Sequence, residues 1–345
     1  FQAEDGIRDT SRGLVGSEMC IRDRLIVDDG SNDDTKIVVG KFTSDERIKY
    51  VKQERGGVCR ARNTGLDRAR GDLIAFLDSD NAWDPEFLAL LVAALESPNI
   101  DIAYSGLQLL QKGQIVGYRG EDFDFAECLD SNYVDLNTLM FRRSVIGKAR
   151  FDESIRRMND WDFLLNVSVN RNVQYLPFIG VKYTFHERPD QISEREPHIY
   201  KKLIQKRHTN RSANGSLMTM NDAFSQTQLN VAILLAASKE KRDEWGDYHF
   251  GVGLAEALKR RGHLPRIYYY QEQVEGRSPD VDVTISLRGL TEHSFPIGSI
   301  KVIWSISHPD LLTWRQIDEC DLLFCASLTW PQALHWAGKQ HVYSL

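Results

Sequence analysis

Gly71-Asp-Leu-Ile-Ala-Phe-Leu-Asp-Ser-Asp80 is the stretch on which the fold turns. Leu73 to Leu77 is a continuous apolar run, as expected of a strand buried on both faces, and it stops abruptly at carboxylates. Working outward, Leu25-Ile-Val-Asp-Asp29 is another short apolar run, closed by Asp28, Asp29 and the turn Gly30-Ser31, with Asp33 or Asp34 placed to cap a following helix. Ile48 to Val51 predicts a second strand, Val58 to Arg70 a helix, and Asp72 to Leu77 the third strand. Asp84-Pro85-Glu86 then reads as a helix start, with Asp84 as cap and Pro85 at the first helical position, opening the apolar helix Phe87 to Leu95. Alternating strands and helices predict a parallel α/β sheet, and sites in such sheets lie at the carboxyl ends of strands.

That rule draws attention to Asp78 and Asp80, two carboxylates leaving one strand tip across a single residue. Hard divalent cations such as Mg²⁺ or Mn²⁺ prefer carboxylate oxygens and commonly complete their shell with substrate phosphates. A metal-diphosphate site is one reading of the pair. A turn closed by one aspartate and a helix capped by the other is the second.

The surrounding motifs bear on that choice. Asp28-Asp29-Gly30-Ser31, then Gly56-Gly57-Val-Cys-Arg-Ala-Arg62-Asn63-Thr-Gly65, then Gly71 to Asp80 resemble, in order and spacing, the family 2 glycosyltransferases of the GT-A fold. Asn159-Asp160-Trp161-Asp162 is similar to that family's Glu-Asp motif, and Tyr183-Thr-Phe-His186 with Ser193 to its trailing Tyr-Arg-x-His segment. The resemblance spans about residues 25 to 210. It implies an inverting, metal-dependent transfer of a sugar from a nucleotide-diphosphate donor, most often a UDP-sugar, to a hydroxyl on a glycan or lipid-linked acceptor. By the same resemblance Asp29 contacts the base, Asp78 the ribose and metal region, and Asp80 the Mn²⁺ or Mg²⁺ ion that bridges the diphosphate. Asp160 is the candidate general base, because inversion by direct displacement needs a proton acceptor on the opposite face. Its local alternative is an ordinary aspartate at a helix start.

Arg62 is placed to contact the diphosphate, or else belongs to a solvated basic face with Arg60, Arg68 and Arg70. His186 is placed to reach the diphosphate or metal, or is a hydrogen-bonded structural histidine. Two departures from the family stand out. Position 159 is Asn where the family has Glu, which removes one charge beside the base. The family also begins with a strand and helix ahead of the equivalent of Leu25. Here residues 1–24 hold a near repeat instead, Ala3-Glu-Asp-Gly-Ile-Arg-Asp9 echoed by Ser17-Glu-Met-Cys-Ile-Arg-Asp23, which resembles translated sequencing-adapter read-through and has no apolar period. It is expected to be a disordered, non-native leader, leaving a GT-A domain over 25–209 without its first strand and with two inner sheet edges unpaired.

Residues 210–228 are polar and aperiodic and predict a linker. From Leu229 a second α/β unit follows, with a helix from about Phe250 to Arg261 ending at Gly262 and strands near 229–235, 267–270, 281–286, 302–306 and 322–326. Gly251-Val-Gly253 invites a dinucleotide-binding reading, but Glu256 holds the third glycine position and about fourteen residues separate the strand from Gly251. Gly251 with Leu254 to His263, Ile285-Ser-Leu-Arg-Gly289 and Trp304-Ser-Ile-Ser-His308-Pro309-Asp310 instead resemble the amino-terminal, Rossmann-like lobe of GT-B glycosyltransferases. That lobe normally takes acceptor, with Arg288 and His308 as candidate lining residues, and is expected to be truncated over 229–345.

Composition sets outer limits. With 345 residues and 42% hydrophobic content, the chain can bury a core in each of two domains. A formal net charge of -6 gives no basic field for coating nucleic acid. No apolar run reaches the ~18 residues of a transmembrane helix, so a cytoplasmic location with at most peripheral membrane association is expected. Cys20, Cys59, Cys128, Cys320 and Cys325 form no CxxC pair and read as reduced thiols. Two functions compete: a glycosyltransferase whose GT-A half carries the chemistry, and an inactive fragment that only binds nucleotide or glycan. A nicotinamide dehydrogenase built on residues 229–345 is disfavoured by the glycine spacing.

Overall fold

A computed structural model of the chain describes all residues except 1–22, 186–198, 212–216, 241–245, 271, 273–279, 289–292, 297, 306–311, 327–328, 337–338, 340 and 345. The expected leader falls almost wholly outside the described residues, as do His186, Ser193 and His308. Two compact units are present, Phe1–Arg188 and Pro189–Leu345.

The first unit runs β1 (Arg24–Asp28), α1 (Thr35–Gly40), β2 (Ile48–Lys52), α2 (Val58–Arg68), β3 (Leu73–Ala75), β4 (Ala82–Trp83), α3 (Phe87–Leu95), β5 (Ile102–Gln111), β6 (Gln114–Arg119), α4 (Phe125–Asp130), a 3₁₀ turn at Leu136–Thr138, β7 (Leu139–Arg142), α5 (Arg143–Ile146), α6 (Asn159–Ser168) and β8 (Val173–Phe185). It is a mixed α/β fold with a GT-A-like sheet. β1 and β2 pair in parallel as a separate two-stranded sheet, and the main sheet has the order β3-β7-β5-β8-β4, with β6 added to β5. Within it only β5 and β8 run parallel; the β3–β7, β5–β7, β4–β8 and β5–β6 pairs are antiparallel. The all-parallel sheet expected for this half is therefore corrected to a mixed one. Part of the reason is local: Lys112 and Gly113 both take positive φ, 51° and 79°, so β5 folds straight back into β6 as a tight hairpin.

Among the described residues β1 pairs only with β2 and β3 only with β7; the expectation of a missing first strand falls on residues 1–22, outside the described part.

Sequence dictates the core directly in α3. Phe87, Leu91 and Leu95 recur every fourth residue, and all three are buried against Ala103, Leu107, Met140 and Val181. Each such side chain contributes ~1.5–3 kcal/mol by leaving water. The start of this helix differs from expectation. Glu86 occupies the N-cap position without a side-chain cap bond, while Asp84 closes the preceding turn, its Oδ1 accepting from the Glu86 N–H at 3.1 Å. β3 is also shorter than its apolar run, because Phe76 leaves the ladder to meet the rings of Phe141, Phe151 and Phe163 edge-on.

The second unit comprises α7 (Ile199–Thr209), α8 (Met220–Ser225), β9 (Asn230–Leu235), α9 (Gly246–Arg260), β10 (Leu264–Tyr268), β11 (Val283–Arg288), β12 (Ile300–Ser305), α10 (Trp314–Glu319), β13 (Leu322–Cys325), α11 (Thr329–Trp336) and β14 (Val342–Ser344). Every pair in its sheet is parallel, in the order β10-β9-β11-β12-β13-β14. This is the second α/β unit that the strand spacing predicts, with an all-parallel sheet. α7, read from the sequence as the end of the first domain, packs here: Lys202 Nζ lies 2.8 Å from Asp282 Oδ2, which also accepts from the Asn230 N–H at 2.8 Å. The predicted linker is also partly ordered, since Thr219 caps α8 by accepting from the Asp222 N–H.

Candidate active site

β3 and the residues after it deliver Asp78 to the centre of the first unit. Its backbone N–H donates to Asn137 Oδ1 at 2.7 Å, and its Oδ2 accepts from Asn137 Nδ2 at 3.2 Å. From the other side Arg62, on α2, donates from Nη2 to Asp78 Oδ1 at 2.9 Å and Oδ2 at 3.1 Å. Its Nη1 donates to Asn159 Oδ1, at the start of α6, at 2.8 Å. The guanidinium also lies over the Phe151 ring, 5.4 Å from its centroid. Its side chain is only 13% exposed, whereas Arg60, Arg68 and Arg70 are exposed. The solvated-face reading of Arg62 is therefore corrected: α2 turns this one arginine inward as a tie between two motifs.

Electrostatics place further groups around this tie. Burial pulls the Arg62 guanidinium down, yet the charges of Asp78 and Asp160 and the Asp78 hydrogen bond hold it above its ordinary value. Asp135 is pushed up to about 6 by burial and by the Asp160 charge, against hydrogen bonds from Asn137 that pull it down, with Asp78 pushing it further up. The Tyr183 hydroxyl is pushed up to about 12 by burial, then by Asp135, Asp80, Asp160 and Asp78. The Tyr183 phenol thus feels four carboxylates from three parts of the chain, and the Arg62 guanidinium feels two of them, Asp78 and Asp160. The sequence singled out Asp78, Asp80 and Asp160; it passed over Asp135 and Asn137, which sit in an aperiodic segment with no motif of their own.

Asp160 lies in the first turn of α6, whose preceding residue, Met158, takes the left-handed conformation at φ 59°. The helix N-terminus favours a carboxylate there. Asp80 is exposed and makes no hydrogen bond to the described residues. Among the described residues no group of three or more His, Cys, Asp or Glu side chains gathers into a metal cage. A hard divalent ion that takes one or two carboxylates and completes its shell with phosphates and water fits this donor set.

Asp29 stands apart from this group. Its Oδ1 accepts from Gln53 Nε2 at 2.7 Å and from the Gly56 N–H at 2.9 Å, and its Oδ2 accepts from the Gly57 N–H at 2.7 Å. Burial pushes its carboxyl up, but these hydrogen bonds outweigh it and hold the group below its ordinary value. Gly57 takes φ 89° at the N-cap of α2, so Asp29, just past β1, braces the glycine turn that opens α2.

In the second unit Gly251 and Gly253 lie inside α9 rather than in a strand-to-helix turn. The backbone N–H groups of Ala236 and Ala237, just past β9, are capped by Asp247 Oδ2 at 2.9 and 3.1 Å. A protein carboxylate holds the place where a dinucleotide phosphate would need free donors. Arg288, a candidate lining residue, ends β11 and is buried at 6% exposure.

Residues 3–141 match the profile of glycosyl transferase family 2. This chain carries a glycosyl transferase family 2 domain. The match begins inside the segment that the sequence sets apart as a leader. Among curated relatives, the family 2 domain is similar to the UDP-Glc:alpha-D-GlcNAc-diphosphoundecaprenol beta-1,3-glucosyltransferase WfgD of Escherichia coli, 39% identical over 34% of this chain and 46% of that protein. It is also similar to the putative teichuronic acid biosynthesis glycosyltransferase TuaG of Bacillus subtilis, 28% identical over 46% of this chain and 66% of that protein. The chain therefore spans less than two thirds of the length of these relatives. Among solved structures, S. aureus TarS 1-349 in complex with UDP-GlcNAc aligns over 69% of this chain and 74% of that chain, at 18% identity and a TM-score of 0.44. No described helix is long and apolar enough to cross a membrane.

Proposed function

We propose that the family 2 domain transfers a sugar, with inversion, from a nucleotide-diphosphate sugar to a hydroxyl of a glycan or lipid-linked acceptor. The observation that carries this reading is the Arg62 tie, which draws the Asp78-Ser-Asp80 strand end and the Asn159-Asp160 helix start toward one place. Direct displacement needs charge stabilisation on the departing diphosphate on one side and a proton acceptor on the other. Asp80 is the open carboxylate on the leaving-group side, Asp78 lies behind it beside the donor ribose, and Asp160 is the base. Asp29, just past β1, serves the nucleobase end of the donor, and His186, the next residue in sequence after β8, is assigned to the diphosphate by the family resemblance alone. Bound at Asp80, a Mn²⁺ or Mg²⁺ ion supplies positive charge against the phosphates. UDP is the donor nucleotide named for the relative WfgD and is the one proposed here, and a cytoplasmic location with peripheral membrane association suits a lipid-linked acceptor.

Calorimetric titration of UDP with and without Mn²⁺ tests the reading. Binding strengthened by Mn²⁺ in the unaltered chain, with that enhancement lost in Asp80→Ala at unchanged melting temperature, is the expected result. Equal Mn²⁺ enhancement in Asp80→Ala would remove Asp80 from the site. UDP binding without turnover of any UDP-sugar would favour the binding-only alternative.

A further inference from the structure

We infer that Asn137 is a positioning residue for Asp78, locked in place by Asp135, and that this pair fixes which strand-end carboxylate is left open to the donor; the inference rests on the transferase reading above. Asn137 is 2% exposed and lies on the 3₁₀ turn before β7, fifty-nine residues from Asp78. Its amide orientation is set by chemistry. The nitrogen faces two carboxylates, Asp78 Oδ2 at 3.2 Å and Asp135 Oδ1 at 2.8 Å, and the oxygen faces the Asp78 N–H at 2.7 Å. The flipped amide would set its oxygen against two anions and its donors against a donor.

Asp135 holds Asn137 twice, since its Oδ1 accepts from the backbone N–H of Asn137 as well as from the side-chain amide, each at 2.8 Å. Trp83 Nε1 donates to the Asn137 carbonyl at 2.8 Å, tying the strand that follows Asp80 to the same residue. The chain on both sides of Asp78-Ser79-Asp80 is therefore fastened to Asn137. With Asn137 on one side and Arg62 on the other, the Asp78 carboxylate is engaged from two directions, and Asp80 is left exposed.

A residue that only stabilised the fold would alter UDP affinity equally with and without Mn²⁺. A positioning residue changes the ratio of the two. The experiment therefore measures that ratio by calorimetry, with melting temperatures alongside, for Asn137→Ala, the isosteric Asn137→Asp, Asp135→Ala and Asp135→Asn. The ratio is expected to fall about tenfold in Asn137→Ala, Asn137→Asp and Asp135→Ala, the scale of one lost charge-assisted hydrogen bond. Asp135→Asn retains an acceptor for the Asn137 amide, so its ratio is expected to stay within about threefold of the parent. An unchanged ratio in both Asn137 variants overturns the inference. So does an Asp135→Asn defect as large as that of Asp135→Ala, which would mean that Asp135 acts through its own charge. If the unaltered chain shows no Mn²⁺ enhancement, the transferase reading fails and the inference falls with it; an enhancement in the parent that persists in the Asn137 variants sinks the inference alone.

Discussion

Arg62 Nη2 sits 2.9 Å from Asp78 Oδ1, joining the glycine-rich start of α2 to the strand end that carries the candidate donor carboxylates. The arginine is nearly buried while the aspartate is 40% exposed on its side chain, so the pair is anchored on one side and open on the other. One planar fork serves Asp78 and Asn159 together, a geometry that a lysine ammonium does not reproduce. Arg62→Lys is therefore expected to lower both melting temperature and UDP affinity, with Arg62→Ala worse, at a scale of ~1–3 kcal/mol for the buried Asn159 acceptor left unmatched. Thermal unfolding and calorimetry read the two effects separately. A melting temperature for Arg62→Ala equal to the parent's would show that the tie carries no stability.

Asp160→Asn keeps shape and hydrogen-bonding capacity at the start of α6 and removes the proton acceptor. Donor binding is expected to persist while transfer falls by ~100-fold or more, the contribution of a positioned general base. Initial rates with a UDP-sugar, set beside UDP affinity for the same variant, separate chemistry from binding. Transfer within a few-fold of the parent would assign the base to another residue.

The strand ends were legible because a buried strand must be apolar and a polar tip must be explained; Leu73 to Asp80 and Leu25 to Asp29 both announce themselves this way. α3 was legible for the same reason, with Phe87, Leu91 and Leu95 on one stripe. Asn137 was not, because its bonds to the strand end span a long stretch of chain, and Asp135, which bonds Asn137, is linked to that end only through it; neither leaves a local periodicity. The antiparallel placing of β7 against β3 and β5 was equally hidden, since strand direction depends on tertiary pairing and not on the strand's own composition. Arg62 showed its charge in the sequence but not its direction: four arginines share α2 and its flanks, and only the fold turns one of them inward.

Asp28 gives the first unit a pH dependence of known sign. Burial pushes its carboxyl up, but the hydrogen bond from the Tyr50 hydroxyl, the Ser31 N–H at 2.7 Å and the Lys52 charge outweigh it and lower it from 3.8 to about 2. A carboxylate lowered in the folded state stabilises fully above its unfolded value, and that stability is lost as pH falls from about 4 to about 2. Tyr50→Phe removes the largest stabilising bond, so the Asp28 carboxyl is expected to rise toward its ordinary value and the stability difference between about pH 7 and pH 3 to shrink. Carboxylate titration by NMR, with urea unfolding at both pH values, checks this. An unchanged Asp28 titration would show that Ser31 and Lys52 suffice.

Gly251 and Gly253 separate two uses of glycine within one helix. A Cβ at Gly251 would lie 2.7 Å from Leu235 Cδ2 and 3.3 Å from Leu287 Cδ1, and both leucines are fully buried, so neither side chain has open space to enter. At Gly253 a Cβ meets nothing within 4 Å. Alanine in a helix interior gains ~1 kcal/mol over glycine, whereas forcing a methyl into a packed core costs ~1–3 kcal/mol. Gly253→Ala is therefore expected to stabilise the second unit by ~0.5–1 kcal/mol, while Gly251→Ala is expected to destabilise it by ~1 kcal/mol despite the same propensity gain. Denaturant unfolding followed by a probe in the second unit, such as Trp304 fluorescence, compares the two directly. If Gly251→Ala stabilises as much as Gly253→Ala, α9 can retreat from β9 and β11 at no cost, and close helix-to-sheet contact is not what places glycine at 251.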